Sequence, residues 1–423
     1  MQFIYSDTNK RYYTLDYYYR KRFHHKVAKV PLDGFFTCPN IDGTKGIGGC
    51  IFCRGGSAAY TKSKGLSLDK QLHQGINKIK DKWEEPLYIA YFQANTNTYD
   101  TVSNLKKRFE PILKENVIGL ALGTRCDALN DNILDYLEDL NKRTNLFVEL
   151  GLQTIKEETA KMINRGHTLK EFEEAYYKLK ERGIRVTVHI INGLPYETKE
   201  DMLETARYLN KLKIDGIKIH SLFIEKGTKI YDMYKEKPFP LLSKEEYVDI
   251  VCDQIEELNK DIVIERVTGD ADKDALVAPL WSLKKFSVIN DIDKELNRRN
   301  TVQGFKESLL DNLFYYLEMY LSNKDTVYID SSLTEIRTFI KTHTPSAYIF
   351  SDEDTLFKTN NISIIHKDNL DKKEINELLR KLNNKGIITT FTYIEPDDLK
   401  DFKYTYKKIN NSHLTIIYKH FIY

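Results

Sequence analysis

From Lys26 to Glu225 the chain alternates short β-branched apolar runs with longer stretches of helical period, and this alternation leaves few folds open. Strand followed by helix, repeated, is the pattern of a parallel sheet whose crossovers are helices. Strands are expected at 26–32, 87–92, 117–122, 146–152, 186–191 and 216–224, separated by amphipathic segments at 68–83, 102–114, 133–141, 169–182 and 199–211. Six such βα units fall two short of a closed eight-stranded barrel, so the expected α/β fold is a partial (βα)6 TIM-like barrel. Polar and glycine-bearing motifs follow strand after strand: Cys38 to Cys53, Gln93 to Thr98, Thr124 to Asp127, Gln153, and Gly193 to Pro195. The C-terminal rim of a parallel sheet is where ligands bind, which makes these motifs the site candidates.

After Ser243 a helical stretch leads to an apolar run at 262–268 and then to Trp281. Beyond about Phe305 the composition shifts towards Asn, Lys, Ile and Tyr, with Gly386 the only glycine. The chain is therefore divided into residues 1–305, the barrel with a basic and aromatic N-terminal lead-in, and 306–423, a C-terminal α+β extension without an assigned role. Residues 372–390 read as a helix followed by a strand, a pair that fits a small winged-helix-like module. With 64 Lys and Arg against 62 Asp and Glu, no global field draws the chain to nucleic acid or membrane, and any such partner must meet a local patch. No apolar run nears the ~20 residues of a membrane span, and the first residues lack a basic, then apolar, leader. A soluble cytoplasmic protein, not attached to membrane, is expected.

Three of the five cysteines crowd into one glycine-rich loop after the first strand, spaced Cys38-x11-Cys50-x2-Cys53. A disulfide framework does not look like this. Three thiolates can bind three irons of a cubane and leave the fourth iron open. Structural zinc asks for a fourth protein ligand, and neither Cys126 nor Cys252 stands in a second close pair. Gly46, Gly48 and Gly49 are expected to take positive φ so that the loop can wrap round a bulky group. Phe52 sets an aromatic face beside the open position.

This loop resembles that of the radical S-adenosylmethionine (SAM) superfamily, with its three close cysteines after the first barrel strand and an aromatic residue before the last. The long first gap narrows the resemblance to the branch containing Elongator's catalytic subunit and a related bacterial family. Thr124-Arg-Cys-Asp127, Glu149-Leu-Gly-Leu-Gln153 and Asn164-Arg-Gly-His-Thr168 are similar to the same signature, with Cys126 where that pattern has proline. The likeness runs from about Phe23 to Gln303-Gly304 and does not reach the tail.

The resemblance implies a radical SAM enzyme with one 4Fe-4S cluster, Cys38, Cys50 and Cys53 being its catalytic and metal-binding residues. The amine and carboxylate of SAM would chelate the open iron. One electron from a low-potential donor such as flavodoxin or ferredoxin would then release a 5′-deoxyadenosyl radical, which abstracts hydrogen from the substrate. By the same resemblance Phe52, Gln93, Asn95, Thr96, Glu149, Gln153, Arg165 and His189 contact SAM. Gln93, Asn95 and Thr96 take the amine, Gln153 the ribose hydroxyls and Arg165 the carboxylate, for which a planar guanidinium fork is suited. Glu149 has an alternative as an ion-pair partner of Arg165 or Lys218. His220 points inward by the period of two and is a candidate for the substrate pocket.

The same branch implies tRNA as substrate, at the C5 side chain of a wobble uridine. The segment from Tyr17 to Lys26 interleaves cations with aromatics, a composition that binds phosphates and stacks bases, or else forms an amphipathic lead-in to the barrel. A small metabolite or a protein side chain is the second possibility for the substrate, and a non-catalytic Fe-S or zinc scaffold is the third reading. Elongator's subunit also carries an acetyl-CoA domain, which needs a glycine-rich turn that this tail lacks.

Overall fold

The alternation along the chain becomes, in the computed structural model, a seven-stranded parallel sheet in the order β1-β2-β3-β4-β5-β6-β8. The described residues are 7–418, apart from 55–64, 84, 94, 115, 307–312, 314–316, 318–324, 332–333, 393, 396–398, 400–402 and 410–411. They fall into two units, Tyr12–Arg298 and a second made of Met1–Arg11 with Arg299–Tyr423.

In the first unit the strands are β1 (Val27–Leu32), β2 (Leu87–Phe92), β3 (Val117–Thr124), β4 (Asn145–Gln153), β5 (Arg185–Asn192) and β6 (Gly216–Ser221). A short β7 (Ile224–Glu225) comes next, then β8 (Val263–Arg266) and β9 (Leu276–Ala278), which pairs with β7. The six expected strands are all present, and β8 joins them as a seventh by pairing with β6. The helices are α1 (Leu15–Phe23), α2 (Leu68–Asn77), α3 (Val102–Phe109), α4 (Asp131–Arg143), α5 (Glu157–Met162), α6 (Leu169–Glu181), α7 (Lys199–Leu212), α8 (Lys229–Glu236), α9 (Lys244–Glu257) and α10 (Lys285–Arg299). Their starts are written locally: Thr168, Thr198 and Ser243 cap α6, α7 and α9 through reciprocal bonds with Glu171, Asp201 and Glu246. No helix among the described residues is long and apolar enough to cross a membrane.

Each strand divides its side chains between two environments. Ala28, Val30 and Leu32, Val148 and Leu150, Val186 and Val188, and Ile217 and Ile219 face the helices in the main apolar core. The alternate residues face the barrel interior, and there the sequence puts Lys29, Tyr91, Glu149, His189, Lys218 and His220. At the N-terminal end of the barrel, Tyr19 of α1 packs with Val27, Ile89, Ala121 and Phe147. The backbone just before α1 is tied to β8, where Ile264 N donates to Tyr13 O at 2.8 Å. The tyrosine-rich segment therefore forms the floor of the barrel. Arg20 is paired with Asp16, Lys26 with the same carboxylate, and Arg22 donates to Asn145 at the start of β4.

The second unit carries a six-stranded sheet, ordered β11-β10-β12-β13-β15-β14. Its strands are β10 (Thr326–Asp330), β11 (Tyr348–Phe350), β12 (Ile362–Lys367), β13 (Leu382–Thr390), β14 (Lys403–Ile409) and β15 (Ser412–Tyr418), and its helices include α11 (Thr334–His343), α12 (Glu353–Lys358) and α13 (Ile375–Lys381). β10 to β13 run parallel and β15 antiparallel to both neighbours. The helix and strand expected at 372–390 are present, yet they are not a winged helix, and the unit is a parallel α/β layer with a terminal hairpin instead of an α+β extension. The cause is that β13 is apolar on both faces, Ile387 entering one core and Ile388 the other, which suits a central strand and not a wing with a solvent face.

Candidate active site

The loop after β1 carries all three clustered thiols, each half-buried. Ile41 N and Asp42 N both donate to Cys38 O, and Cys53 N donates to Cys50 O at 2.9 Å, so each end of the motif is a tight turn. Gly48 and Gly49 take positive φ as expected, whereas Gly46 does not. Gly46 is small for a different reason: a Cβ there would lie 2.2 Å from Asn40 Oδ1. Burial pushes the Cys50 thiol up to about 12, and the neighbouring Cys53 and Cys38 sulfurs add to the rise. A cation bound at the sulfurs would offset both effects. Among the described residues no three His, Cys, Asp or Glu side chains are grouped to hold a single metal ion. Thiolates that each take a separate iron of a cubane need no such convergence, and an all-sulfur donor set suits an iron–sulfur cluster. Phe52 lies half-buried against the apolar group of Ile51, Ile163, Leu194, Leu222, Ile224 and Ile230. Cys126 and Cys252 are buried in the main apolar core.

The turn after β2 reaches this loop. Asn95, at φ +60°, donates from Nδ2 to Phe36 O at 2.7 Å, and Thr96 N donates to Thr37 O at 3.2 Å, so both stand against the backbone leading into Cys38. With its amino group so used, Asn95 retains Oδ1 as an acceptor. Gln93 is half-buried at the end of β2, and Ala94 lies outside the described residues. Asn97, which the sequence did not single out, locks the turn by donating to Phe92 O and Gly123 O.

β4 ends in an irregularity between Gly151 and Gln153, and Gln153 takes φ +69°. Arg165 holds this bend from beneath: Nη1 donates to Leu152 O at 2.8 Å and Thr154 O at 2.7 Å, and Nε to His167 O at 2.9 Å. The fork expected to meet a carboxylate is thus largely engaged by the backbone. Three N–H groups of the buried guanidinium are committed to backbone carbonyls, and only Nη2 is without a hydrogen bond, 3.7 Å from Glu157 Oε1.

Glu149 pairs with Lys218 and not with Arg165. Its Oε2 accepts from Lys218 Nζ at 2.5 Å, Tyr91 OH at 2.6 Å and His189 Nε2 at 2.8 Å, while Oε1 accepts from Lys29 Nζ at 2.8 Å. Oε2 is thereby saturated, while Oε1, which accepts only from Lys29, keeps one acceptor site. Lys29 also bridges to Glu265 on β8 at 2.8 Å. Burial works against the charge on Glu149, but the Lys218 and Lys29 ammoniums hold its carboxyl well below the usual range. Burial lowers Lys218 to about 8 and holds His189 and His220 below the ordinary histidine value. The bond to Glu149 makes Nε2 the protonated nitrogen of His189, which leaves Nδ1 as an acceptor. The two imidazoles lie 5.2 Å apart in the barrel interior, and His220 Nε2 is buried with no partner.

Two family models match this chain: residues 46–209 match the Radical SAM superfamily and residues 214–298 the Radical SAM C-terminal domain. The uncharacterized protein YtqA of Bacillus subtilis is 46% identical over 304 residues, covering 71% of this chain and 94% of that protein. A tRNA uridine(34) acetyltransferase of Methanocaldococcus jannaschii is 28% identical over 137 residues, 32% of this chain and 25% of that one. Among solved structures, the N-terminally shortened Elp3 of Methanocaldococcus infernus superposes with a TM-score of 0.50 at 17% identity, covering 66% of this chain and 64% of that chain, which is a likeness of fold.

Proposed function

This chain belongs to the radical SAM superfamily, and from that premise we propose that it modifies tRNA, at the C5 side chain of a wobble uridine. Its class follows from the family: it is an enzyme that uses a 4Fe-4S cluster and SAM and requires a reductant. The chemistry these cofactors supply is reductive cleavage of SAM to a carbon radical that abstracts hydrogen from the substrate. A small low-potential protein, flavodoxin or ferredoxin, is the proposed reductant.

Cys38, Cys50 and Cys53 would hold the cluster. Asn95 Oδ1, Thr96 and Gln93 would accept from the methionyl ammonium, because their turn lies against the segment entering Cys38. Gln153 would meet the ribose, raised by the β4 bend, with Phe52 alongside. Neutral His189 would offer Nδ1 to a donor on SAM. Glu149 orients His189 through Oε2, and Oε1 would be its one atom able to meet a donor on the ligand. Arg165 has one N–H edge to give the carboxylate, and its larger part is to hold the bend under Gln153.

The observation that carries the enzyme class is the trio of thiols on the loop after the first strand of a parallel partial barrel. The RNA substrate draws its support from the partial likeness to a protein named for uridine 34 of tRNA. Comparing the modified nucleosides of tRNA from cells with and without this protein tests it: a wobble-uridine nucleoside should disappear or be replaced by its precursor. Identical nucleoside profiles would pass the substrate to a small metabolite or a protein side chain.

A further inference from the structure

The cysteine loop is fastened to the turn after α5 by reciprocal bonds. Ile51 N donates to Ile163 O at 3.0 Å, and Asn164 Nδ2 donates to Gly49 O at 2.7 Å. In the opposite direction Asn40 Nδ2 donates to Asn164 O at 2.6 Å and reaches Arg165 O at 3.4 Å. The same nitrogen lies 3.7 Å from Cys50 Sγ. Asn40 is completely buried, and both Gly46 and Gly166 are kept small by it, since a Cβ on either would come within 2.7 Å of Oδ1.

We propose that Asn40 is a positioning residue for the cluster: its amide buckles the cysteine loop to the Asn164–Arg165 turn and donates an N–H···S bond to Cys50 that raises the potential at which the cluster accepts its electron. The reduced cluster carries one more negative charge than the oxidised one. A donor on a ligand sulfur stabilises the reduced state more, and hydrogen bonds to the sulfurs are among the levers that set such potentials. Arg125 also lies close enough to Cys38 and Cys50 to act on them, but Asp127 binds it in a two-pronged pair and offsets its charge. Asn40 brings a donor without a counter-charge. The same turn leads into Arg165, so the buckle joins the cluster loop to the bend that carries Gln153.

The test uses the full chain, reconstituted anaerobically, with iron content and the midpoint potential measured by electron paramagnetic resonance during a redox titration without substrate. Asn40→Ala and Asn40→Asp should keep the cluster and titrate at a more negative potential than wild type. Asn164→Ala, which opens the buckle from its other side but leaves the amide on Cys50, should stay at the wild-type potential. Wild-type potentials in both Asn40 variants, or an equal shift in Asn164→Ala, would overturn the proposal. So would loss of iron from both Asn40 variants with normal iron in Asn164→Ala, since the residue would then only fold the loop.

Discussion

The two ends of the barrel are closed by different forces. At the C-terminal rim the loops are held by polar side chains on backbone carbonyls, Asn40 on Asn164, Asn95 on Phe36, Asn97 on Gly123 and Arg165 on Leu152 and Thr154. At the N-terminal end Tyr19 and Phe23 of α1 pack among Val27, Ile89 and Phe147. Directional bonds fix each rim loop in one geometry and leave neighbouring polar atoms free to meet a ligand. Aromatic packing closes a floor and excludes water without specifying anything above it. The contrast teaches that chemistry is confined to one end, and it breaks most plainly at the thiols. Replacing Cys38, Cys50 or Cys53 by Ala should abolish iron binding, against about four irons per wild-type chain. Cys126→Ala and Cys252→Ala should bind iron normally, and iron analysis that shows otherwise removes the rim as the cluster's seat.

Between rim and floor stands the buried network about Glu149. Removing this carboxylate strands Lys218 and deprives Lys29 of one of two partners, so Glu149→Ala should destabilise the protein by about 3 to 5 kcal/mol, the usual cost of leaving a buried charge unpaired. Chemical denaturation of the cluster-free protein reads this, and a loss below about 1 kcal/mol would mean that water already reaches the network.

How far this arrangement could be read in the sequence differs residue by residue. The inward position of His220 follows from the period of two, that of His189 from the resemblance, and the thiols declare themselves by spacing. Lys29, however, meets partners 120 and 236 residues away, and nothing in a one-dimensional pattern pairs those charges. β8 escapes as a barrel strand because half of its four residues, Glu265 and Arg266, are charged. Arg165 shows the limit most directly: its spacing from Gln153 is legible, but which way its fork turns is decided by carbonyls that the bend in β4 presents. In the second unit the apolar faces of β13 could be counted, but not that two separate cores would claim them.

Two carboxyls separate burial from pairing. Glu149 is held ionised by two ammoniums, whereas Glu197 has mainly hydroxyl partners, Thr154 Oγ1 donating to it at 2.5 Å, and burial raises it to about 7. The folded state therefore binds more protons than the unfolded state between the ordinary glutamate value and about 7. Its contribution to stability is complete below that ordinary value and is lost as pH rises through 7. Wild-type protein should lose about 3 kcal/mol across this window relative to Glu197→Gln. Parallel Tm–pH profiles for the two proteins would show that the group titrates normally.

The smallest expected effect concerns the floor. Arg20, Lys21 and Arg22 lie on α1, where Arg20 is bound to Asp16, Arg22 to Tyr18 and Asn145, and Lys21 stands 5.7 Å from the centre of the Tyr17 ring. The cations and aromatics that suggest base stacking in the sequence are thus engaged with one another and with the barrel. If RNA approaches the end that carries the thiols, these charges meet no phosphate, and changing all three to Gln should shift stability by no more than about 1 kcal/mol. The salt dependence of tRNA affinity should then keep its wild-type slope. Were any of the three cations paired with a phosphate, its removal would instead flatten the slope by about 0.7 on a single strand. A salt series on the triple variant decides between the two, and a flattened slope would mean that RNA grips the barrel from both ends. Tyr19→Ala is the control that separates charge from packing: it should lower stability by about 3 kcal/mol, as for other buried aromatic truncations, and leave the slope unchanged.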